Sequence, residues 1–245
     1  MVSPTRSHPT IHVPEGLGHQ EQTKKRSDKL VGVIRFPGTN CDRDVFEAIQ
    51  MVGLQPEWLW HLDHFDAKKY AALVLPGGFS FGDYLRAGAL ASRSPVMDSV
   101  REASKSGVPI LGICNGFQIL CESHLLPGAL VKNESLRFQD QWVHLKLVNS
   151  HKAFGSTLKG GATLKLPIAH GEGRFYAPPD ELKRLWDSQQ IWFTYSENPN
   201  GSLQDIAGVM SDNKNVVALM PHPERSMESW MGSEDGRIIF ETLLG

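Results

Sequence analysis

From Leu30 onward, short apolar runs alternate with stretches whose apolar residues recur at helical spacing. "LVGVIRF" (30–36) is almost continuously hydrophobic, the pattern of a strand covered on both faces. A Pro-Gly-Thr-Asn turn follows, then an expected helix over 42–52 that closes at Gly53. "PEWLWHL" (56–62) reads as a second strand and "AALVLPGG" (71–78) as a third, ending on two glycines. A helix over about 95–106 leads to a fourth strand, "VPILGI" (108–113). Another helix follows Gly116 and carries Phe117, Ile119 and Leu120. This alternation predicts an α/β fold: a doubly wound, mainly parallel open sheet with helices on both faces. Such sheets bind ligands beyond the C-terminal strand ends. Those ends hold Pro37-Gly38-Thr39-Asn40, Pro76-Gly77-Gly78 and Cys114.

The second half changes rhythm. Segments 130–132, 141–148 and 162–169 read as successive strands without long helices between them, which suggests an antiparallel insertion or extension of the sheet. A helix over 179–187 precedes strands over 191–195, 206–210 and 216–220, and a last helix is expected over 236–244. No internal repeat or linker divides this region, so 30–245 reads as one domain.

Composition narrows the function classes. The chain has 245 residues, 40% hydrophobic and 21% charged, enough to bury a sizeable core. The first 29 are rich in Pro, Ser, Thr, His and Lys without apolar period, and read as a disordered or loosely packed extension. They hold no continuous apolar core for secretion, and few acids before Glu15, which leaves an organelle-targeting role open. The longest apolar runs, such as 71–76, are too short to span a bilayer. A net charge of −2 makes no electrostatic case for nucleic acid or anionic membrane. Three cysteines, Cys41, Cys114 and Cys121, with no CxxC pair, argue against a disulfide framework or a structural metal site and for a reducing compartment.

The chemistry concentrates at "VPILGICNGFQIL". Gly112-x-Cys114-x-Gly116 has the spacing of a nucleophile elbow, with sulfur in place of the usual serine oxygen. A strained strand-to-helix turn needs neighbours without a Cβ, and the helix N-terminus favours the thiolate. The Asn115 amide is then placed to donate to an oxyanion. Without its glycines, Cys114 would read as a small buried hydrophobe. Cys121 falls inside the helix and reads as core, while Cys41 follows a strand-end loop, near the site without being catalytic.

A cysteine nucleophile needs a base held by a third group. Of ten histidines, His8, His12 and His19 lie in the extension, and His61, His64, His124, His144 and His151 sit near loops or strand edges. "ALMPHPERS" presents His222-Pro223-Glu224, where residues i and i+2 of an extended segment share a side and Glu224 can orient the ring. In "PIAHGEGRFY", His170 lies in a Gly-rich loop better suited to shaping a pocket. In "LPGGFSFGDYLRAGA", the amides of Gly77 and Gly78 are exposed at a strand end and can serve an oxyanion.

These segments together resemble the class I, triad-type glutamine amidotransferases, which have a flavodoxin-like fold. The resemblance implies a Cys114, His222, Glu224 triad, an oxyanion hole of Gly77, Gly78 and Asn115, and a glutamine pocket that includes Gln118. Phe79, His170 and Gly171 are further substrate-binding candidates. "RFPGTNCDRD", "PIAHGEGRFY", "NPNGS" and "MPHPERS" narrow the resemblance to the glutaminase subunits of phosphoribosylformylglycinamidine synthases, a purine-biosynthesis family, over 30–245. Asp140 and Gln141 stand where that family often has a cysteine and a basic residue.

The resemblance implies glutamine hydrolysis through a Cys114 thioester in the cytoplasm, with ammonia delivered to a large synthetase subunit. That partner would carry ATP and magnesium, and a small bridging subunit is left open. The chain itself has no GxxxxGK[ST] loop, and no cofactor or metal is expected on it. Loop 37–44 and the stretch near Phe138 and Trp142 are the expected synthetase contacts. A different Cys-His-Glu hydrolase on the same fold, such as a peptidase or γ-glutamyl hydrolase, and a non-catalytic regulatory module are the alternatives.

Overall fold

The computed structural model describes residues 29–150, 153–154, 158 and 160–244. Apart from Lys29, the expected extension lies outside the described residues, as does His151.

The first half forms as the apolar runs direct. β1 (Leu30–Arg35), α1 (Asp42–Met51) and β2 (Gln55–Trp60) make a parallel β-α-β unit, with Leu30 opposite Gln55 and Arg35 opposite Trp60. β3 (Ala72–Leu75) pairs with β1 on its other side. It stops before Pro76, which has no N–H for a ladder, so Gly77 and Gly78 lie beyond the strand rather than inside it. α2 (Val96–Lys105) leads to β4 (Ile110–Ile113), and α3 (Asn115–Glu122) takes Gly116 into its first turn.

The chain continues through β5 (Ala129–Val131), β6 (Gln139–Leu147), β7 (Thr163–His170), β8 (Arg174–Tyr176) and α4 (Pro179–Asp187). It ends with β9 (Ile191–Tyr195), β10 (Ile206–Met210), β11 (Val216–Leu219) and α5 (Arg237–Glu241). One nine-stranded sheet runs β2-β1-β3-β4-β11-β10-β9-β6-β7. Its first five strands are parallel, and β10, β9, β6 and β7 extend it antiparallel. The parallel part has the strand order of the flavodoxin-like sheets, with β11 as the fifth strand. α1 packs on β1 and β2, with α5 on it, and α3 packs on β3, β4 and β11. Every residue of β3, β4, β10 and β11 is buried, which is why these strands read as unbroken apolar runs.

Two expectations change, and one strand, β8, was not expected. The strand near 130 does not join the extension; β5 pairs with β8 in a separate two-stranded sheet. β8 is only "RFY", too short to show a period. The last helix is shorter than expected and ends at Glu241, where the Thr242 amide and hydroxyl both donate to the Ile238 carbonyl, at 3.1 and 2.7 Å.

Candidate active site

β4 ends at Ile113 and α3 begins at Asn115, so Cys114 alone makes the turn. Its φ of 50° and ψ of −106° are strained for a residue with a side chain. The strain is held from both sides: the Cys114 amide donates to the Leu219 carbonyl at 2.9 Å, and its own carbonyl accepts from Phe117 and Gln118. The flanking glycines follow from close packing. A Cβ on Gly116 would lie 2.0 Å from the Leu75 carbonyl oxygen, and one on Gly112 would lie 2.5 Å from Leu120 Cδ1. α3 therefore rests directly on the backbone of β3, with the thiol at its N-terminus.

Strand order brings the base to this turn. β11 lies beside β4, and His222 follows β11 by three residues, with its amide tied to the Pro167 carbonyl of β7 at 2.8 Å. His222 Nδ1 meets Glu224 Oε1 at 2.6 Å, and both side chains are buried. The contact is made through a 3-10 turn over Pro223–Arg225, not along an extended segment. Burial works against a charged ring, but Glu224, Cys114 and Cys41 outweigh it and hold the His222 pKa well above the ordinary range. With Nδ1 committed to Glu224, Nε2 is left buried without a hydrogen-bond partner. The two sulfurs act on the ring at close range without aligning on Nε2 as hydrogen-bond partners.

Gly77 measures how tightly these groups converge. A Cβ placed there would lie 2.7 Å from His222 Cε1, 3.2 Å from Cys41 Sγ and 3.3 Å from Cys114 Cβ. Neither Gly77, Gly78 nor Asn115 has a backbone acceptor for its amide among the described residues. The Asn115 side chain fixes the surrounding loops: it accepts from the Ser80 amide at 3.1 Å and donates to Gln118 Oε1 at 2.8 Å. Beside Cys114 is a cavity of about 180 Å3, lined by Asn40, Cys41, Gly78, Phe79, Cys114, Phe138, Ala169, His222 and Arg225.

The other sequence candidates stand behind this wall. Gln118 spends its amide on Asn115 and on the Glu172 carbonyl, at 2.6 Å. His170 is the last residue of β7, not part of a loop, and its Nδ1 contacts Asn133 Oδ1 at 3.2 Å. Burial, with the nearby His222, lowers the His170 pKa to about 4. The Gly171 carbonyl accepts from the Asn133 amide. Cys121 is buried in α3, and burial raises its pKa well above the ordinary thiol range.

Cys41 and Arg225 enter the site from different elements. Arg225 Nη2 donates to Cys41 Sγ at 3.1 Å, and its Nε lies 3.5 Å from Asp44. The adjacency of Arg225 to Glu224 was the available signal for it, and "TNC" after a strand end was the signal for Cys41. Donor atoms of Cys41, His222 and Glu224 all lie within 4.8 Å of one another, the group among the described residues with the spacing to hold a metal ion. A larger cavity of about 640 Å3 lies at the opposite end of the parallel strands, near Ser104, Arg184 and Asn215, and has no thiol in its lining.

The CobB/CobQ-like glutamine amidotransferase domain family matches residues 28–237. The chain is 46% identical over 227 residues to phosphoribosylformylglycinamidine synthase subunit PurQ of Chlorobium luteolum, covering 89% of this chain and 98% of the relative. It is 48% identical over 214 residues to the PurQ subunit of Rubrobacter xylanophilus, covering 87% and 97%. Among solved structures, PurLQS from Thermotoga maritima superposes with a TM-score of 0.82 at 40% identity, covering 88% of this chain and 97% of that one. A glutamine amidotransferase from the same organism, at 19% identity and a TM-score of 0.54, shares the fold over 88% of this chain and 90% of its own. The chain belongs to the CobB/CobQ-like glutamine amidotransferases, in the branch of the PurQ subunits of phosphoribosylformylglycinamidine synthase.

Proposed function

We propose that Cys114, His222 and Glu224 carry out the glutaminase half-reaction of phosphoribosylformylglycinamidine synthase. The chain is the glutaminase subunit of that enzyme, a glutamine amidotransferase of purine biosynthesis. The observation that carries the assignment of roles is the buried His222–Glu224 contact at 2.6 Å, opening on the same cavity as the strained Cys114.

In this reading glutamine enters with its side-chain amide against Cys114. The Cys114 thiolate attacks the carbonyl carbon, and the oxyanion takes hydrogen bonds from the amides of Gly77, Gly78 and Asn115. His222, held protonated beside Glu224, gives its proton to the leaving ammonia. The neutral ring then takes a proton from water, which attacks the thioester and releases glutamate. Phe79 covers the pocket, while Gln118, His170 and Gly171 shape the loops behind it.

Ammonia passes to the synthetase subunit, which carries ATP and magnesium and aminates formylglycinamide ribonucleotide; a small bridging subunit completes the assembly. Three free cysteines, and no described helix long and apolar enough to cross a membrane, support placing this in the cytoplasm. Exposure to a glutamine-mimicking electrophile, followed by peptide mass spectrometry, tests the reading. A single adduct on Cys114 that excess glutamine prevents is expected. An adduct elsewhere, or none with the synthetase present, overturns it. Cleavage of peptides or polyglutamate without a partner would mark a different hydrolase.

A further inference from the structure

We propose that the cavity beside Cys114 is also a binding site for a soft divalent transition metal, above all zinc, held by Cys41 Sγ, His222 Nε2 and Cys114 Sγ, and that occupancy reversibly shuts the enzyme off. The mechanism uses only one of the two thiols in this cavity, yet both line it together with His222. Cys41 is 2% exposed and Cys114 is 5% exposed, and both are free. The donor atoms of Cys41 and His222 lie within 4.8 Å of each other, in a group whose third member is Glu224 and not Cys114, while Cys41 Sγ and Cys114 Cβ stand 3.2 and 3.3 Å from the same point beside Gly77. Zinc sits about 2.3 Å from sulfur and about 2.0 Å from imidazole nitrogen, so Cys114 must turn its sulfur toward the Cys41–His222 pair to complete three ligands.

The second shell is also present. Zinc-bound histidines usually give their other ring N–H to a carboxylate, which fixes the ring and raises its basicity. Glu224 already takes the His222 Nδ1 proton, at 2.6 Å, and leaves Nε2 buried and unpartnered. A catalytic base prepared in this way is equally prepared as a ligand. Two thiols and an imidazole select zinc or another soft ion over magnesium or calcium, which prefer oxygen. The opposing influence is Arg225, whose guanidinium donates to Cys41 Sγ at 3.1 Å. It must release the sulfur when metal binds, and Asp44, 3.5 Å away, is there to hold it. Each thiol and the imidazolium give up a proton to solvent as the metal enters. The fourth position is left for water or chloride.

The inference rests on the proposed function only for its effect on activity, so the test reads the metal directly. Cobalt(II) alone is titrated into the protein under argon with a phosphine reductant, and thiolate-to-cobalt absorption in the near ultraviolet is followed. One cobalt per chain is expected, with the band roughly halved in Cys41→Ser and in Cys114→Ser. In wild-type protein, zinc should shield both Cys41 and Cys114 from alkylation, as mapped by peptide mass spectrometry, which does not depend on a variant folding. Loss of an outer-shell partner alone costs about 10–100-fold in metal affinity. The zinc concentration that halves glutaminase activity should therefore rise at least about tenfold in Cys41→Ser. Absence of the cobalt band from wild type, or zinc inhibition unchanged in Cys41→Ser together with Cys41 still alkylated in zinc-treated wild type, overturns the proposal. If zinc binds and shields both thiols in a protein without glutaminase activity, the metal site stands and the functional reading fails.

Discussion

His222 is buried, yet the groups around it favour its charged form. The Glu224 carboxylate is what reconciles the two, because an unpaired imidazolium in such a place would lose its proton. Glu224→Gln should therefore cost more than a hydrogen bond. We expect kcat to fall by roughly 10³–10⁴, as when the aspartate that orients a catalytic histidine is amidated, with KM little changed. A loss under tenfold in steady-state glutaminase assays with the synthetase present would show that Glu224 does not orient the base. His170 behaves oppositely. Its pKa is lowered to about 4 from 6.5, so the folded state keeps it neutral while the unfolded chain takes up a proton. Its contribution to stability is complete above pH ~6.5 and is lost as pH falls toward ~4, by up to roughly 3 kcal/mol. His170→Gln should flatten the drop in urea midpoint between about pH 7 and pH 4.5. An unchanged acid slope would mean the loss comes from other groups.

The strand-turn-helix of β4, Cys114 and α3 is the element on which the site depends. Its glycines are unequal. A Cβ at 112 meets the movable end of the Leu120 side chain at 2.5 Å and the Gly116 backbone at 3.0 Å, whereas a Cβ at 116 meets the backbone carbonyl of Leu75 at 2.0 Å. Gly112→Ala should cost no more than ordinary overpacking, ~1–3 kcal/mol, and Gly116→Ala more than that. Chemical denaturation of the two variants gives the ranking, and equal losses would contradict it. This element was legible in the sequence because its constraint is local: strand, strained residue and helix lie within a few positions. β8 was not legible, since three residues paired with β5 across more than forty intervening positions show no period of their own. The last helix was read too long for a similar reason. Apolar spacing continues past Glu241 to Leu243 and Leu244, although the helix ends at Glu241.

On the scale of the whole molecule, the exposed Phe79 and Phe138 line the cavity, and Tyr84, Leu85 and Leu136, close to them in sequence, are exposed as well. Leu85 is 86% exposed and Leu136 is 79% exposed. Phe138, expected near the synthetase contact, lines the cavity itself, while Trp142 packs under Lys165 Nζ at 5.0 Å. If this rim receives the synthetase, replacing Leu85 and Leu136 together by Ser should weaken complex formation at least about tenfold, the usual effect of losing buried interface anchors. Labelling of Cys114 by the electrophile should be unaffected. Size-exclusion chromatography of the mixed subunits decides it, and undiminished assembly would move the interface elsewhere.

The sequence by itself determined the doubly wound core, the Cys114 turn and the His222–Glu224 pair, because apolar period and short spacings record local geometry. Tertiary structure decided what stands beside them. Strand order sets β11 next to β4, the His222 amide is bonded to the Pro167 carbonyl of β7, and Cys41 reaches the same point beside Gly77 as His222 and Cys114. These contacts join residues dozens to nearly two hundred positions apart. Their proximity follows from which strands pair and how closely their ends approach, and no single stretch of the chain encodes it.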